Sequence, residues 1–205
     1  MSRRFCLILT LLLCADGATS SQTTADWEWM DKHFGQALDS LMPLQKRSGF
    51  YIAYRAHRDL YTDIAEKWFM IGYERNADGK GLQQFLSAHV RSPESSSIYV
   101  QLMQMHRGDT QEDISSMINK LRVKTWDSNE RDCPVIRKEV EEFRKVQTNS
   151  LDLKPDHIVL HPMIHEFRVE APDGNISVSV WDDDHPLVRW ASEAKQAIES
   201  CIKAH

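Results

Sequence analysis

His157, His161 and His165 stand four residues apart. On a helix they would stack about 6 Å apart, close enough to share one metal ion. Pro162 interrupts that reading, and Ile158, Val159, Leu160 and Ile164 favour extended chain. On a strand, positions four apart lie about 13 Å apart, too far for one ion. No metal site is therefore expected from this set. Met163, Phe167 and Val169 share a parity with His165, opposed by Glu166, Arg168 and Glu170. Upstream, Ile158 and Leu160 have the other parity, so burial must change register near His161–Pro162, as at a bulge. His165 is expected to point inward, and His157 and His161 outward. An inward histidine with a hydrogen-bond partner is structural. At a pocket mouth, burial would instead keep it neutral and ready for acid/base work.

A second polar group is Arg55, His57, Arg58 and Asp59, of which Arg55, His57 and Asp59 share a face if their strand continues. Asp63 and Glu66 are expected to pair with the arginines across a hairpin. Further cations follow at His89 and Arg91, at His106 and Arg107, and at Arg168. Convergence of Arg55, Arg58, His89, Arg91 and Arg168 on one sheet face would give a local anion site, with arginine forks for carboxylate or phosphate. The competing expectation is a secreted acid/base hydrolase built on His57, Asp59 and His165. Asp182-Asp183-Asp184-His185 lacks the spaced ligands and central glycine of a calcium loop, and suits the cap of a helix opening at Pro186. No Gly-Xaa-Ser-Xaa-Gly elbow, phosphate loop, dinucleotide fingerprint or zinc-protease pair occurs, and no cofactor is expected.

The chain has 205 residues, 41% hydrophobic and 27% charged, which fits one globular domain and excludes a disordered chain. A net charge of -5 gives no global field for nucleic acid, and none is expected as a partner. Arg3 and Arg4 precede the apolar run Phe5–Cys14, and Ala15–Ser20 supplies small residues. Residues 1–20 therefore read as a cleavable signal peptide, with the mature start near Ser21. Ten helical residues cover about 15 Å, half a hydrocarbon core, so no membrane span is expected after its removal. Cys6 and Cys14 leave with the leader. Cys133 and Cys201 are then expected to form a disulfide in a secreted or periplasmic compartment. Asn175-Ile176-Ser177 is a glycosylation sequon that matters only in a glycosylating host.

The elements that must hold these groups follow from periodicity. Trp27, Met30, Phe34, Leu38 and Leu41 mark a helix stopped before Pro43. Phe50–Tyr54 reads as a strand, and Trp68–Tyr73, apolar on both parities, as a central one. Residues 58–66 match either a helix or a hairpin, and the hairpin is preferred. Gln84–Val90 should return antiparallel. Ser95–Ser97 can cap a helix ending at Gly108, and Thr110 the next, with Asp113 in its first turn. A strand over Leu121–Thr125, a helix opening at Pro134, a C-terminal hairpin turning at Ala171–Gly174 and a last helix from Pro186 complete the order. The expected fold is α+β: an antiparallel sheet of about five to six strands with helices packed on it, residues 21–205 being one domain. The expected function is non-enzymatic binding of an anionic small molecule or an envelope partner, through the sheet face or the hairpins.

Overall fold

A computed structural model describes residues 26–45, 50–58, 64–75, 84–108, 112–146, 163–171 and 174–204. Six strands form one antiparallel sheet: β1 (Tyr51–Arg58), β2 (Lys67–Arg75), β3 (Gln84–Pro93), β4 (Val123–Asn129), β5 (Met163–Ala171) and β6 (Gly174–Val180). Their spatial order is β4-β3-β2-β1-β5-β6. The helices are α1 (residues 26–41), α2 (Ile98–Gly108), α3 (Ile114–Lys120), α4 (Val135–Phe143) and α5 (Pro186–Lys203). The fold is α+β, with helices on both faces of the sheet.

Strand parity divides the core in two. Ile52, Tyr54, Phe69, Ile71, Ala88, Val90 and Phe167 face α4 and α5, where Ile136, Val140, Trp190, Ala194 and Ile198 meet them. Tyr51, Ala53, Trp68 and Met70 face the other way, onto Met30 and Leu38 of α1, Ile98 and Leu102 of α2 and Met117 of α3. Alternation along β1 and β2 thus buries both faces, as a strand apolar on both parities requires. At Gly72 there is no room for a side chain: a Cβ there would sit 3.0 Å from the Tyr51 Cβ and 3.1 Å from the Phe50 carbonyl oxygen.

Cys133, just before α4, and Cys201, in the last turn of α5, form a disulfide with Cα atoms 5.9 Å apart across 68 residues of sequence. The bridge joins the two helices that cover one face. No helix among the described residues is long and apolar enough to cross a membrane.

Several local expectations shift. The 58–66 connection does join two antiparallel strands, but residues 59–63 and the Arg58 side chain lie outside the described residues. Among the described residues, Glu66 meets no arginine. It is buried and accepts hydrogen bonds from the Ile98 and Tyr99 amides at 2.7 and 3.2 Å, so it caps α2 together with Ser97, whose Oγ accepts from the Val100 amide. A buried helix start has unsatisfied N–H groups, and a carboxylate serves two of them at once. Asp113, not Thr110, caps α3 by accepting from the Ser115 amide at 2.8 Å, and Thr110 lies outside the described residues. His185 caps α5 through Nδ1, which accepts from the Leu187 amide.

Candidate functional site

The register sets Arg55, His89, Arg91 and Arg168 on one sheet face, the Arg58 side chain lying outside the described residues, and two of them, Arg55 and Arg91, meet the protein's own helix. Antiparallel register places Arg55 beside Trp68 and Trp68 beside Arg91 on the face covered by α1. All three donate to the carbonyls at the end of that helix. Trp68 Nε1 reaches the Pro43 carbonyl at 2.8 Å, an Arg55 nitrogen the Met42 carbonyl at 3.4 Å, and an Arg91 nitrogen the Leu41 carbonyl. The Arg91 guanidinium also lies 5.1 Å over the Trp68 ring. A helix C-terminus is the negative pole of its dipole and leaves four carbonyls without partners. The arginine row was legible as cationic, and the anion it serves is internal.

Arg55 makes further contacts. Its Nε donates to Glu166 at 2.6 Å and another nitrogen to Asp39 at 2.8 Å. Burial opposes its charge, but the hydrogen bonds and charges of Glu166 and Asp39 outweigh that and hold its pKa above the ordinary value. His57 Nε2–H donates to the same Glu166 oxygen at 3.1 Å, with the Phe34 ring edge-on to the imidazole. Burial would raise the Glu166 carboxyl. Hydrogen bonds from His57 and Arg55 and their charges reverse this and pull it down to about 2.

His165 does point inward, being 4% exposed, but into the opposite face. The register pairs it with Ala56, one residue out of phase with His57. Asp183 accepts from its Nε2–H at 2.7 Å, and its Nδ1 accepts the Tyr54 hydroxyl proton at 3.0 Å. Burial lowers the His165 pKa despite Asp183, so the neutral form with its proton on Nε2 is favoured. The same burial, then the Asp183 charge, raises the Tyr54 hydroxyl above its ordinary value. The sheet therefore separates His57 from His165, and Asp59 lies outside the described residues. The proposed acid/base set does not come together.

Arg168 and His89 are also engaged. Arg168 donates to the Tyr51 hydroxyl at 3.1 Å, which donates to Glu170 at 3.0 Å. His89 Nδ1–H donates to Asp127 at 2.7 Å, leaving Nε2 3.5 Å from the Ser87 hydroxyl. This Ser87–His89–Asp127 order was missed in the sequence because Asp127 comes from a different strand, brought opposite His89 by the β3–β4 register. Ser87 is 3% exposed, and its hydroxyl also lies 3.3 Å from the Gly72 carbonyl. His157 and His161 lie outside the described residues, among which no group of three or more His, Cys, Asp or Glu is placed to hold a metal ion.

The two sheet edges differ. Edge strand β4 displays Lys124 and Asp127, and Lys203 sits 5.2 Å over its Trp126. Charged side chains of this kind discourage strand addition. Edge strand β6, Gly-Asn-Ile-Ser-Val-Ser-Val, has no charge and no proline. Its Ile176 is 62% exposed, and Trp181, directly after it, is 58% exposed. Gly174 opens the strand with φ +151°, which a side chain would resist. Ala171 pairs with Gly174 across two residues. Such a short hairpin closes on a hydrogen-bonded pair, and antiparallel bonding then alternates. By that alternation Gly174, Ile176, Val178 and Val180 bond to β5, while the N–H and C=O groups of Asn175, Ser177 and Ser179 face away from β5, on a side where no described strand pairs. No known protein family, curated protein or solved structure matches the chain.

Proposed function

We propose that this chain is an exported, non-enzymatic binding protein that takes up its partner along the free edge of β6. One observation carries the reading: β6 is an uncharged, proline-free edge with an exposed isoleucine, Ile176, and an exposed Trp181 directly after it, whereas Arg55, Arg91 and Arg168 already serve groups of the protein itself. Strand addition uses the unpaired backbone groups for affinity and alternate side chains for selection. The leader-like residues 1–20 and the Cys133–Cys201 bridge support export, because such bridges persist in oxidising compartments.

The test uses protein recovered from an exporting host, whose chain should begin near Ser21. An end-blocked, uncharged peptide alternating valine and threonine is the probe, followed by amide hydrogen exchange. Slowed exchange at Asn175, Ser177 and Ser179 is expected, and a Ser177→Pro variant should lose the effect. Ser177→Pro removes an N–H that faces away from β5, so the hairpin ladder is retained. Unchanged exchange at these three amides would refute the reading.

A second reading, a serine hydrolase, is favoured by the Ser87–His89–Asp127 order alone. Asp127 orients the imidazole so that Nε2 can take a hydroxyl proton, as acyl transfer requires. Covalent labelling by a fluorophosphonate that Ser87→Ala abolishes would establish it. An unlabelled protein leaves binding as the function.

A further inference from the structure

We infer that the segment β6 takes up carries a lysine or arginine at its N-terminal end, followed by alternating apolar residues, and adds antiparallel. This rests on the binding reading above and specifies the partner's chemistry. Trp181, Asp182, Asp183 and Asp184 follow β6 directly and are all exposed. Asp183 receives the His165 N–H, and Asp182 accepts from the Asp184 amide at 2.9 Å. Among the described residues, neither Asp182 nor Asp184 has a cationic partner. An exposed indole followed directly in sequence by three acidic residues suits a cation that can lie over the ring while its hydrogens reach oxygen.

The rest of the strand selects the rest of the segment. Ile176 and Val178 share one side of β6, and Asn175, Ser177 and Ser179 the other. An added strand with apolar residues at every second position would cover the exposed Ile176. In antiparallel pairing, the first residue of the incoming strand lies beside the last of β6, which brings its basic side chain to Trp181 and Asp182. A second copy of this chain fits less well. Antiparallel self-pairing would set the Asp182–Asp184 end of one copy beside the end of β6 that follows Asp173 in the other, like charge against like.

Four end-blocked peptides sharing the alternating valine–threonine body test this: lysine first, lysine last, aspartate first, and uncharged. Titration calorimetry in low salt should show lysine-first binding about tenfold tighter than aspartate-first. The preference should fade in about 0.5 M salt, where screening is short-ranged. Asp182→Asn with Asp184→Asn, and separately Trp181→Ala, should remove the lysine preference while leaving the uncharged peptide bound. Equal affinity for lysine-first and lysine-last, or a preference that survives these substitutions, overturns the inference while binding along β6 stands. If no peptide binds, or if N-methylating the peptide's outward amides changes nothing, binding along β6 itself falls. A dimer in sedimentation that Ser177→Pro converts to monomer would replace the peptide with a second copy.

Discussion

Replacing Cys133 and Cys201 together by alanine is expected to lower stability by about 4 kcal/mol. The bridge closes a loop of 68 residues, and chain-entropy estimates for loops of that length give this magnitude. For a domain of this size, each kcal/mol shifts Tm by about 2–4 °C, so the midpoint should fall by about 8–16 °C. Helices α4 and α5 should loosen first, since the bridge is their covalent link over one face of the sheet. Hydrogen exchange in both helices should accelerate before β1 and β2 respond. A Tm change below about 2 °C would show that packing around Trp190 and Ile198 holds these helices without the sulfur link.

Arg55→Met is expected to cost about 3–5 kcal/mol, comparable to the bridge. The substitution keeps the volume but leaves Glu166, among the described residues, with only His57 and removes a donor from the end of α1. The partly buried Glu166 carboxylate, deprived of this partner, is costly because water restores its solvation only in part. The pH dependence gives an independent reading. Glu166 has a folded pKa of about 2, below its ordinary 4.5, so its stabilisation is complete above about pH 4.5 and disappears as pH falls towards 2. That shift corresponds to about 3 kcal/mol. His165, also lowered, acts at higher pH: its contribution is present above about 6.5 and diminishes as pH falls from there. Urea unfolding from pH 7 to pH 2.5 should therefore show two successive losses in the wild type. In Arg55→Met the lower one should be strongly reduced. A variant that unfolds at the wild-type urea concentration at pH 7, with the same acid loss, would contradict this account of the cluster.

The inward turn of His165 was legible because Phe167 shares its parity in a half-buried strand. Its partner Asp183 lies 18 residues on and meets it only when β6 folds back along β5. The same limit applies to Glu166. Its charge was plain in the sequence, but the strand beside it was not, so its pairing with Arg55 came only from the β1–β5 register. The arginines illustrate the opposite case. Their common face could be anticipated, yet the ligand for that face was α1, whose docking depends on Met30, Leu38 and Met42 burying themselves against Trp68 and Met70.

Local chemistry fixes what is local. Alternation and 3.6-residue spacing set the strands and helices, the paired cysteines were available for one bridge, and the uncharged run from Gly174 to Val180 was visible as such. Those features depend on neighbours within a few residues, where bond geometry and side-chain type suffice. Tertiary packing decided the rest: which carboxylates Arg55 meets, which sides of the sheet His57 and His165 face, and that among the described strands β6 ends the sheet whereas β5 does not. Those outcomes depend on strand order, which follows from how both faces of the sheet are covered together. No single stretch of chain carries that information.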